Sequence, residues 1–416
     1  MKRVIYIIGF TFCLIRIQAQ DTAHISLDKV LQTIETNYPS ILMYEQNIEA
    51  LQSKAEGSRA WMPPTFSTGI MRWPYSTSGP NEKNDPMRQA GVAFSVEQMI
   101  PNPAKLKARE SYLNSLAKIQ ESERAWTTNE LQRDAKKLYY SRYVAERKKS
   151  GLGEGIEMLR LLLSTAEEKF GNNQTQLQTI YKAQARLTDL SNMQLMFDGI
   201  IAESNIGLNT LMVREHDMPF KIDTVLNPAN YSRQSGEIEN VSSRNDINAL
   251  SNSIESMKLE QRSTKVGLRP DFGIRFEHMQ MIGMPNQWSL MGMVTIPIAP
   301  WSSKMYSAET RSMGFQVQSM ESERKAMELM AKRNISEKLT MLAFENAQFQ
   351  NYRTEIITAY EKNLQASLLA YRQNTGNFLE LLDAWEVLVM KRLEAYDRLL
   401  KILMLEAEYE YEKEIK

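Results

Sequence analysis

The sequence lacks most of the residues from which reactive or metal-binding sites are usually built. It has one cysteine, Cys13, and three scattered histidines, His24, His216 and His278. Cys13 lies in an N-terminal stretch that we expect to be removed, so disulfides, thiolate metal sites and cysteine nucleophiles are excluded from the predicted mature chain. Neither a Gly-rich phosphate loop nor a paired-histidine motif occurs, so we predict no enzymatic activity and no cofactor.

Long apolar runs and an excess of charge of one sign are also missing. The 50 basic residues balance the 50 acidic ones, so no net field attracts nucleic acid. Past the N-terminus, no stretch of eighteen consecutive apolar residues occurs, and the sequence therefore predicts no membrane-spanning helix.

The first residues resemble an export signal. Lys2 and Arg3 precede the apolar stretch Val4–Ile15, and small and polar residues follow it. This order is typical of a secretory signal peptide, which we assign to residues 1–20. An exported chain without a spanning helix is periplasmic, secreted, or held in a membrane as a closed β-barrel.

An internal duplication is the most informative feature of the sequence. Pro64 matches Pro270, and Phe170–Ala183 aligns without gaps to Tyr371–Ala384. Between these pairs, Glu97–Lys105 is echoed by Ile296–Lys304, and all three offsets are about 200 residues. We therefore predict a first repeat at 21–220, a linker at 221–240 and a second repeat at 241–416.

Each repeat is predicted to hold a helix, two strands, a very long helix, a polar turn and a returning helix. The arm from Ala104 to Lys169 would span roughly 100 Å as a helix. Gly151, Gly153 and Gly155 interrupt it, and we expect a bend or bulge there. The other predicted helices are Ile41–Ala60, a return to Met212, Ile247–Val266, a second arm from Tyr306 and a return to the C-terminus, with turns at Gly171–Gln174 and Arg372–Asn377. Long helices also suit a cytoskeletal coiled coil, but the strands and the signal peptide argue against one.

Four strands are predicted, each about ten residues long, which is the length that crosses a bilayer at a tilt. They are Phe66–Tyr75, Gly91–Ile100, Asp271–Met281 and Trp288–Ile298, with apolar and polar residues alternating in the last three. Trp73, Tyr75 and Trp288 stand at strand ends, where an aromatic girdle would lie. A membrane barrel needs about eight strands, so the sheet is either half-buried in a soluble protein or shared with copies of the chain.

The proline-to-strand junctions, the strand-to-helix junctions and the two turns, in this order and twice over, resemble the TolC-type outer-membrane efflux family. The resemblance covers nearly the whole mature chain. It implies an α+β membrane protein, a homotrimer in the cell outer membrane, with four strands per chain in a twelve-stranded β-barrel and long helical hairpins forming a periplasmic α-barrel. It also implies two protein partners, a periplasmic adaptor (membrane-fusion) protein and an inner-membrane RND-type pump.

The same resemblance assigns the periplasmic tip and its gate. The implied tip residues are Phe170, Gly171, Asn172, Asn173, Tyr371, Asn374, Thr375 and Gly376. The implied gate is Glu380 and Asp383, whose spacing of three puts both carboxylates on one helix face. Without the family, these acids would be an ordinary solvated helix face. Two residues depart from the family pattern. Gly376 stands where some members have an arginine, and Thr179 stands where the family has an acidic residue.

Methionine is frequent, at 25 residues, and several methionines lie close to His278. Thioethers and imidazole are soft ligands suited to Cu(I) or Ag(I), so a metal site is predicted from His278, Met279, Met281, Met284, Met291 and Met293. The junction Gln98–Pro101 with Lys105 also resembles the heavy-metal branch of the family. Methionine also fills irregular apolar surface, and a drug or other small organic substrate stays open.

Two functions from different classes remain. The first is a passive outer-membrane exit channel for substrates delivered by a pump, embedded in outer-membrane lipid and binding no nucleic acid. The second is a periplasmic coiled-coil binding or scaffold protein.

Overall fold

The protein is mostly helical and contains one four-stranded sheet. The computed structural model describes residues 24–73, 75, 90–171, 177–229, 231, 241–297 and 299–415. In chain order the elements are α1 (Leu27–Asn37), α2 (Pro39–Gly57), β1 (Thr65–Met71), β2 (Gly91–Ile100), α3 (Pro103–Gly171), α4 (Leu177–Leu211), α5 (Asn245–Val266), β3 (Asp271–Met281), β4 (Gln287–Thr295), α6 (Pro300–Asn351), a π-turn (Tyr352–Ile356), α7 (Ile357–Arg372) and α8 (Phe378–Lys413). The order helix, strand, strand, long helix, returning helix occurs twice, as the duplication predicts.

The strands form one antiparallel sheet in the order β1-β2-β3-β4. The bounds of β2 and β3 are those predicted. β1 ends four residues before Tyr75, because Arg72 adopts a φ of 51°, which extended backbone does not use. β4 ends at Thr295, since Pro297 follows and has no N–H for a strand ladder, and the predicted end at Ile298 lies outside the described residues.

The long helices agree with the sequence, with one exception. α3 continues as regular α-helix through Gly151, Gly153 and Gly155, so the predicted bulge does not occur there. The glycine at position 155 has a packing reason instead, because a Cβ there would lie 3.3 Å from Val389 Cγ2. The irregularity lies in the second repeat, where the π-turn Tyr352–Ile356 separates α6 from α7.

The chain divides into two compact units, and the first comprises Met1–Thr33, Ala135–Pro228 and Glu355–Leu400. Its core is formed by apolar side chains of α3, α4 and α8, together with Tyr371 at the end of α7. Leu159, Ala183 and Leu381 are fully buried in this cluster, and Trp385 lies beside them. Tyr371 contacts the ring of Phe378 edge-on at 5.7 Å between centroids, which packs the end of α7 against the start of α8.

The second unit comprises Ile34–Asp134, Ala229–Thr354 and Lys401–Lys416, and it contains the sheet. Its helical core joins α5, α6 and the end of α8 through Ile247, Ile335 and Ile402. The end of α8 also accepts hydrogen bonds from the chain before α5 and from the first residue of α5. Glutamates 406, 410 and 414 accept hydrogen bonds from Ala229 N, Tyr231 Oη and Asn245 N at 3.1, 2.9 and 2.7 Å.

Within the described residues, none of the helices combines the length and the apolar character needed to cross a bilayer.

Candidate functional site

The sheet has one apolar face that its own chain leaves exposed. Register places the even-numbered residues of all four strands on this face, with Phe66 beside Val96, and Val96 beside Phe276. Phe276 in turn neighbours Leu290. Ile70 is 69% exposed and Leu290 63%, although water-exposed apolar patches of this kind are unfavourable. This face therefore requires a cover that the described residues do not provide.

The opposite face of the sheet is polar. Arg275 on β3 donates from Nε to Glu97 Oε2 on β2 at 2.9 Å, and Ser67 and Ser95 share a hydrogen bond of 2.7 Å. Where the strands meet the helices, Lys105 Nζ lies 2.6 Å from Asp271 Oδ2. The alternation predicted from the sequence is thus present across the sheet, with an apolar and a polar side.

The two edges of the sheet are open. β1 pairs only with β2, and β4 only with β3, among the described residues. Unpaired edges offer backbone donors and acceptors to another strand. The sheet can therefore be extended on both sides.

The predicted soft-metal residues do not all come together. Met279, Met281, Met291 and Met293 lie on the polar face, whereas His278 lies on the apolar face between Phe94 and Trp288. Met284 lies in the turn between β3 and β4. Met291 pairs with Arg275, and Arg275 lies six residues before Met281 on β3. Met291 is therefore about 20 Å from Met281 along the strand direction. Among the described residues, no three His, Cys, Asp or Glu side chains form a group that could hold a metal.

Methionines of the polar face instead gather around two glycines. Met71 and Met281 flank Gly91 across three strands, and Met279 lies two residues before Met281 on the same face. Met71, Met279 and Met281 line a cavity of about 50 Å³ together with Arg72, Gly91 and Gln287. Met99 and Met293 flank Gly273 in the same manner, farther along the sheet.

The turn between α7 and α8 carries the predicted gate residues. Thr375 N and Gly376 N both donate to Ala370 O, at 2.9 and 3.1 Å, and close the turn tightly. A Cβ at Gly376 would lie 3.0 Å from Ala370 Cβ, which explains a glycine at this position. Asn374 has a φ of 58°, a value that asparagine tolerates better than most residues.

Glu380 and Asp383 are both exposed on the first turns of α8. Asn377 precedes the helix, and its Oδ1 accepts from Glu380 N at 2.9 Å while its Nδ2 donates to Glu380 Oε1 at 2.9 Å. This is a reciprocal cap of the helix start. Glu380 therefore has a local structural role besides the predicted one.

The remaining tip residues differ in burial. Tyr371 is buried in the core of the first unit, while Phe170 at the end of α3 is exposed. Gly171 is the last residue of α3, and Thr375 lies exposed in the second turn. Asn172 and Asn173 lie outside the described residues.

Solved structures of membrane channels share this arrangement of elements. CusC, known from structures on its folding and transmembrane channel formation, matches with a TM-score of 0.76 and 12% identity over 93% of this chain and 91% of CusC. VceC, an outer membrane protein of Vibrio cholerae, matches with a TM-score of 0.75 and 12% identity over 93% of this chain and 95% of VceC. A membrane protein from Pseudomonas aeruginosa matches with a TM-score of 0.77 and 12% identity over 93% of both chains.

This chain has the fold of the TolC-type outer-membrane channels. At such low identity the likeness establishes the fold, which is the one that the sequence predicts. The outer-membrane location of VceC is also the location predicted for this chain. Neither the protein-family models nor the curated proteins contain a match to the sequence.

Three residues have roles in this fold that were not predicted from the sequence: Met71, Met99 and Asn377. Asn377 had a signal, since an Asn three residues before a Glu is a common start of a helix. Met71 and Met99 had none, because their position beside Gly91 and Gly273 depends on a register that a single sequence does not fix.

Proposed function

We propose that the chain is the outer-membrane component of a tripartite efflux system and forms a passive exit channel for substrates delivered by an inner-membrane pump. One observation carries this proposal: the sheet exposes an apolar face, in a chain with the fold of outer-membrane channels. Lipid would cover that face favourably, whereas water would not. β2 has 10 residues, β3 11 and β4 9, close to the 9–11 that cross a bilayer.

The open edges of the sheet support a homotrimer. Four strands are too few for a barrel, and unpaired edges are not tolerated in lipid. β4 of one copy would pair with β1 of the next, and three copies would close a twelve-stranded barrel with the polar face inside. The number three is what the family resemblance implies, and the need for further copies is inferred from the edges.

Two helices support the same assembly. α4 buries Ala183, Leu190 and Phe197, and α6 buries Val317, Ile335 and Leu342. On the opposite side of each helix, at about 100° per residue, lies an exposed apolar stripe. The stripe of α4 is Leu177, Tyr181, Leu195 and Ile206, and that of α6 is Trp301, Met305, Phe315, Leu329, Met330, Met341 and Phe344. A helix with apolar residues on two opposite faces has one face left for a neighbouring chain.

The turn between α7 and α8, with the end of α3, would form the periplasmic tip. Glu380 and Asp383, repeated by threefold symmetry, would form acidic rings that attract cations and restrict the channel. The tip is also where a periplasmic adaptor would dock and connect the channel to an RND-type pump.

The proposed substrates are Cu(I) or Ag(I), and drugs or other small organic molecules are the alternative. The thioethers of the polar face favour the metals, since soft ligands select soft ions. Export through this channel agrees with a signal peptide at residues 1–20 and with two repeats, 21–220 and 241–416, joined by a linker at 221–240.

Fractionation tests the location and the assembly. We expect the chain to stay in the outer-membrane fraction until detergent is added. After extraction, the unheated protein should migrate as an oligomer in gel electrophoresis. In a planar bilayer, the oligomer should conduct ions. Full recovery in the soluble fraction after gentle lysis would support the periplasmic scaffold instead.

Growth tests the substrate. A strain lacking the protein should become selectively sensitive to copper or silver. Equal sensitisation to dyes and detergents would favour a general small-molecule channel.

A further inference from the structure

We infer that the polar face of the sheet carries a binding site for a soft monovalent cation, Ag(I) or Cu(I), formed by Met71, Met279 and Met281 over Gly91. The inference rests on the proposed export function for its biological use. The site itself depends only on the described strands.

Strand register brings the three thioethers together. Met71 is the last residue of β1, Gly91 the first of β2 and Met281 the last of β3, so the three form one row. Neighbouring strands are about 4.8 Å apart. Between Met71 and Met281 lies only β2, which has no side chain in this row because its residue there is Gly91. The missing side chain of Gly91 leaves the space into which both methionines can reach.

The position of the Met281 sulfur supports this arrangement. A Cβ at Gly91 would lie 3.2 Å from Met281 Sδ, so the sulfur reaches over the glycine. The cavity of about 50 Å³ at this point can hold a single ion. Met279 is the third thioether of its wall.

The other lining residues determine which ions can bind. Among the described residues of its wall, none carries a carboxylate or an imidazole, so these residues offer hard ions such as Ca²⁺ and Mg²⁺ no charged ligand. Arg72 and Gln287 are the other described side chains of the wall, and neither supplies an anionic ligand. The thioether ligands therefore favour a soft ion such as Ag(I) or Cu(I).

The alternative is that these methionines only fill space. Replacement by leucine separates the two roles, because leucine keeps the volume and the apolar character of methionine and removes the sulfur. Met71→Leu with Met281→Leu should thus preserve the fold, which circular dichroism and the unheated oligomer band would verify.

The experiment titrates silver nitrate, in chloride-free buffer, into the full-length oligomer in detergent, and measures bound silver by mass spectrometry after gel filtration. The double variant should lose about one tightly bound silver ion per chain relative to wild type. A matched control, Met43→Leu with Met390→Leu, removes two exposed thioethers from α2 and α8 and should lose none of the tightly bound silver. X-ray absorption at the silver edge should show sulfur neighbours in the wild type.

Equal silver binding by wild type and the Met71/Met281 variant would overturn the site, as would an equal loss in the control. The conductance of the wild-type protein is a separate measurement. Silver binding without conductance would contradict the channel and leave the site intact, while conductance without silver binding would contradict the site alone.

Discussion

At the residue scale, Glu380 combines a structural contact with a charge that the gate hypothesis requires. Its carboxylate caps α8 through Asn377, so Glu380→Ala changes both the cap and the charge. We predict that Glu380→Gln with Asp383→Asn raises single-channel conductance and weakens block by divalent cations, because glutamine keeps the N3 position of the cap and both acids are neutralised. Planar-bilayer recording would measure both effects.

Asn377→Ala is the matched control. It removes the cap, at a cost of about 0.5–2 kcal/mol in helix stability, without changing any charge. Divalent block should persist in this variant. If block persists equally in the Glu380/Asp383 variant, these acids do not form the gate.

Gly151, Gly153 and Gly155 of α3 show why a prediction from sequence alone can be wrong at single positions. All three predicted an irregular helix, yet a Cβ at Gly151 meets nothing within 4 Å, while one at Gly155 lies 3.3 Å from Val389. We predict that Gly151→Ala stabilises the chain by about 0.5–1 kcal/mol through helix propensity. Gly155→Ala should gain less or lose stability. Guanidinium unfolding followed by circular dichroism would compare them, and an equal gain would show that Val389 gives way.

At the element scale, the sequence predicted the central strands best. β2 and β3 are bounded by clear residues and their alternation is regular, whereas β1 ends at the positive φ of Arg72, which no residue type announces. The π-turn at Tyr352–Ile356 was equally hidden, since it contains neither glycine nor proline. The two sides of the sheet were predicted correctly, but His278 and the methionines were grouped by sequence distance, which ignores alternation.

The two faces of β4 give the sharpest test of membrane insertion. We predict that Leu290→Lys lowers the amount of chain assembled in the outer membrane, because a lysine on the lipid face costs about 2–4 kcal/mol near the bilayer centre. Ser289→Lys, one residue away on the polar face opposite Glu277, should assemble normally. Immunoblots of outer-membrane fractions would measure both, and equal assembly would contradict a lipid-facing side.

The polar contacts at the end of α8 predict a pH dependence of stability. Burial raises the pKa of Glu414 above its ordinary 4.5, a charged Asp246 adds to this, and Asn245 and Arg244 oppose it. Folding thus favours the protonated carboxyl, so its stabilising contribution is complete below pH 4.5 and is lost as the pH rises through the raised pKa. We predict that wild type loses stability relative to Glu414→Gln as the pH rises from about 4 to 7. Guanidinium unfolding at several pH values would measure the difference, and a constant difference would contradict the prediction.

At the scale of the whole molecule, the sequence indicates clearly that the chain needs a partner to cover its sheet and helices. It indicates less clearly what that partner is. Among the described residues, the four strands leave two sheet edges unpaired. Two helices, α4 and α6, carry apolar residues on opposite faces, so both the sheet and the helices have surfaces left for a partner. A single sequence shows the periodicity of α6, but it does not show that Leu342 lies buried while Phe344 is exposed. Which face packs inside depends on contacts between distant parts of the chain.

The exposed stripe of α6 yields the last prediction. Phe344→Glu places a charge at the centre of a face that we propose to be buried between copies, where an unpaired charge is strongly unfavourable. The oligomer band should therefore disappear or become sensitive to heat, and Leu195→Glu on α4 should act in the same way. Ala343→Glu is the control, since it is exposed and lies about 100° away from Phe344 around the helix. A stable oligomer in both stripe variants would mean that these faces meet solvent in the assembly, and the copies would then have to associate through the strand edges alone.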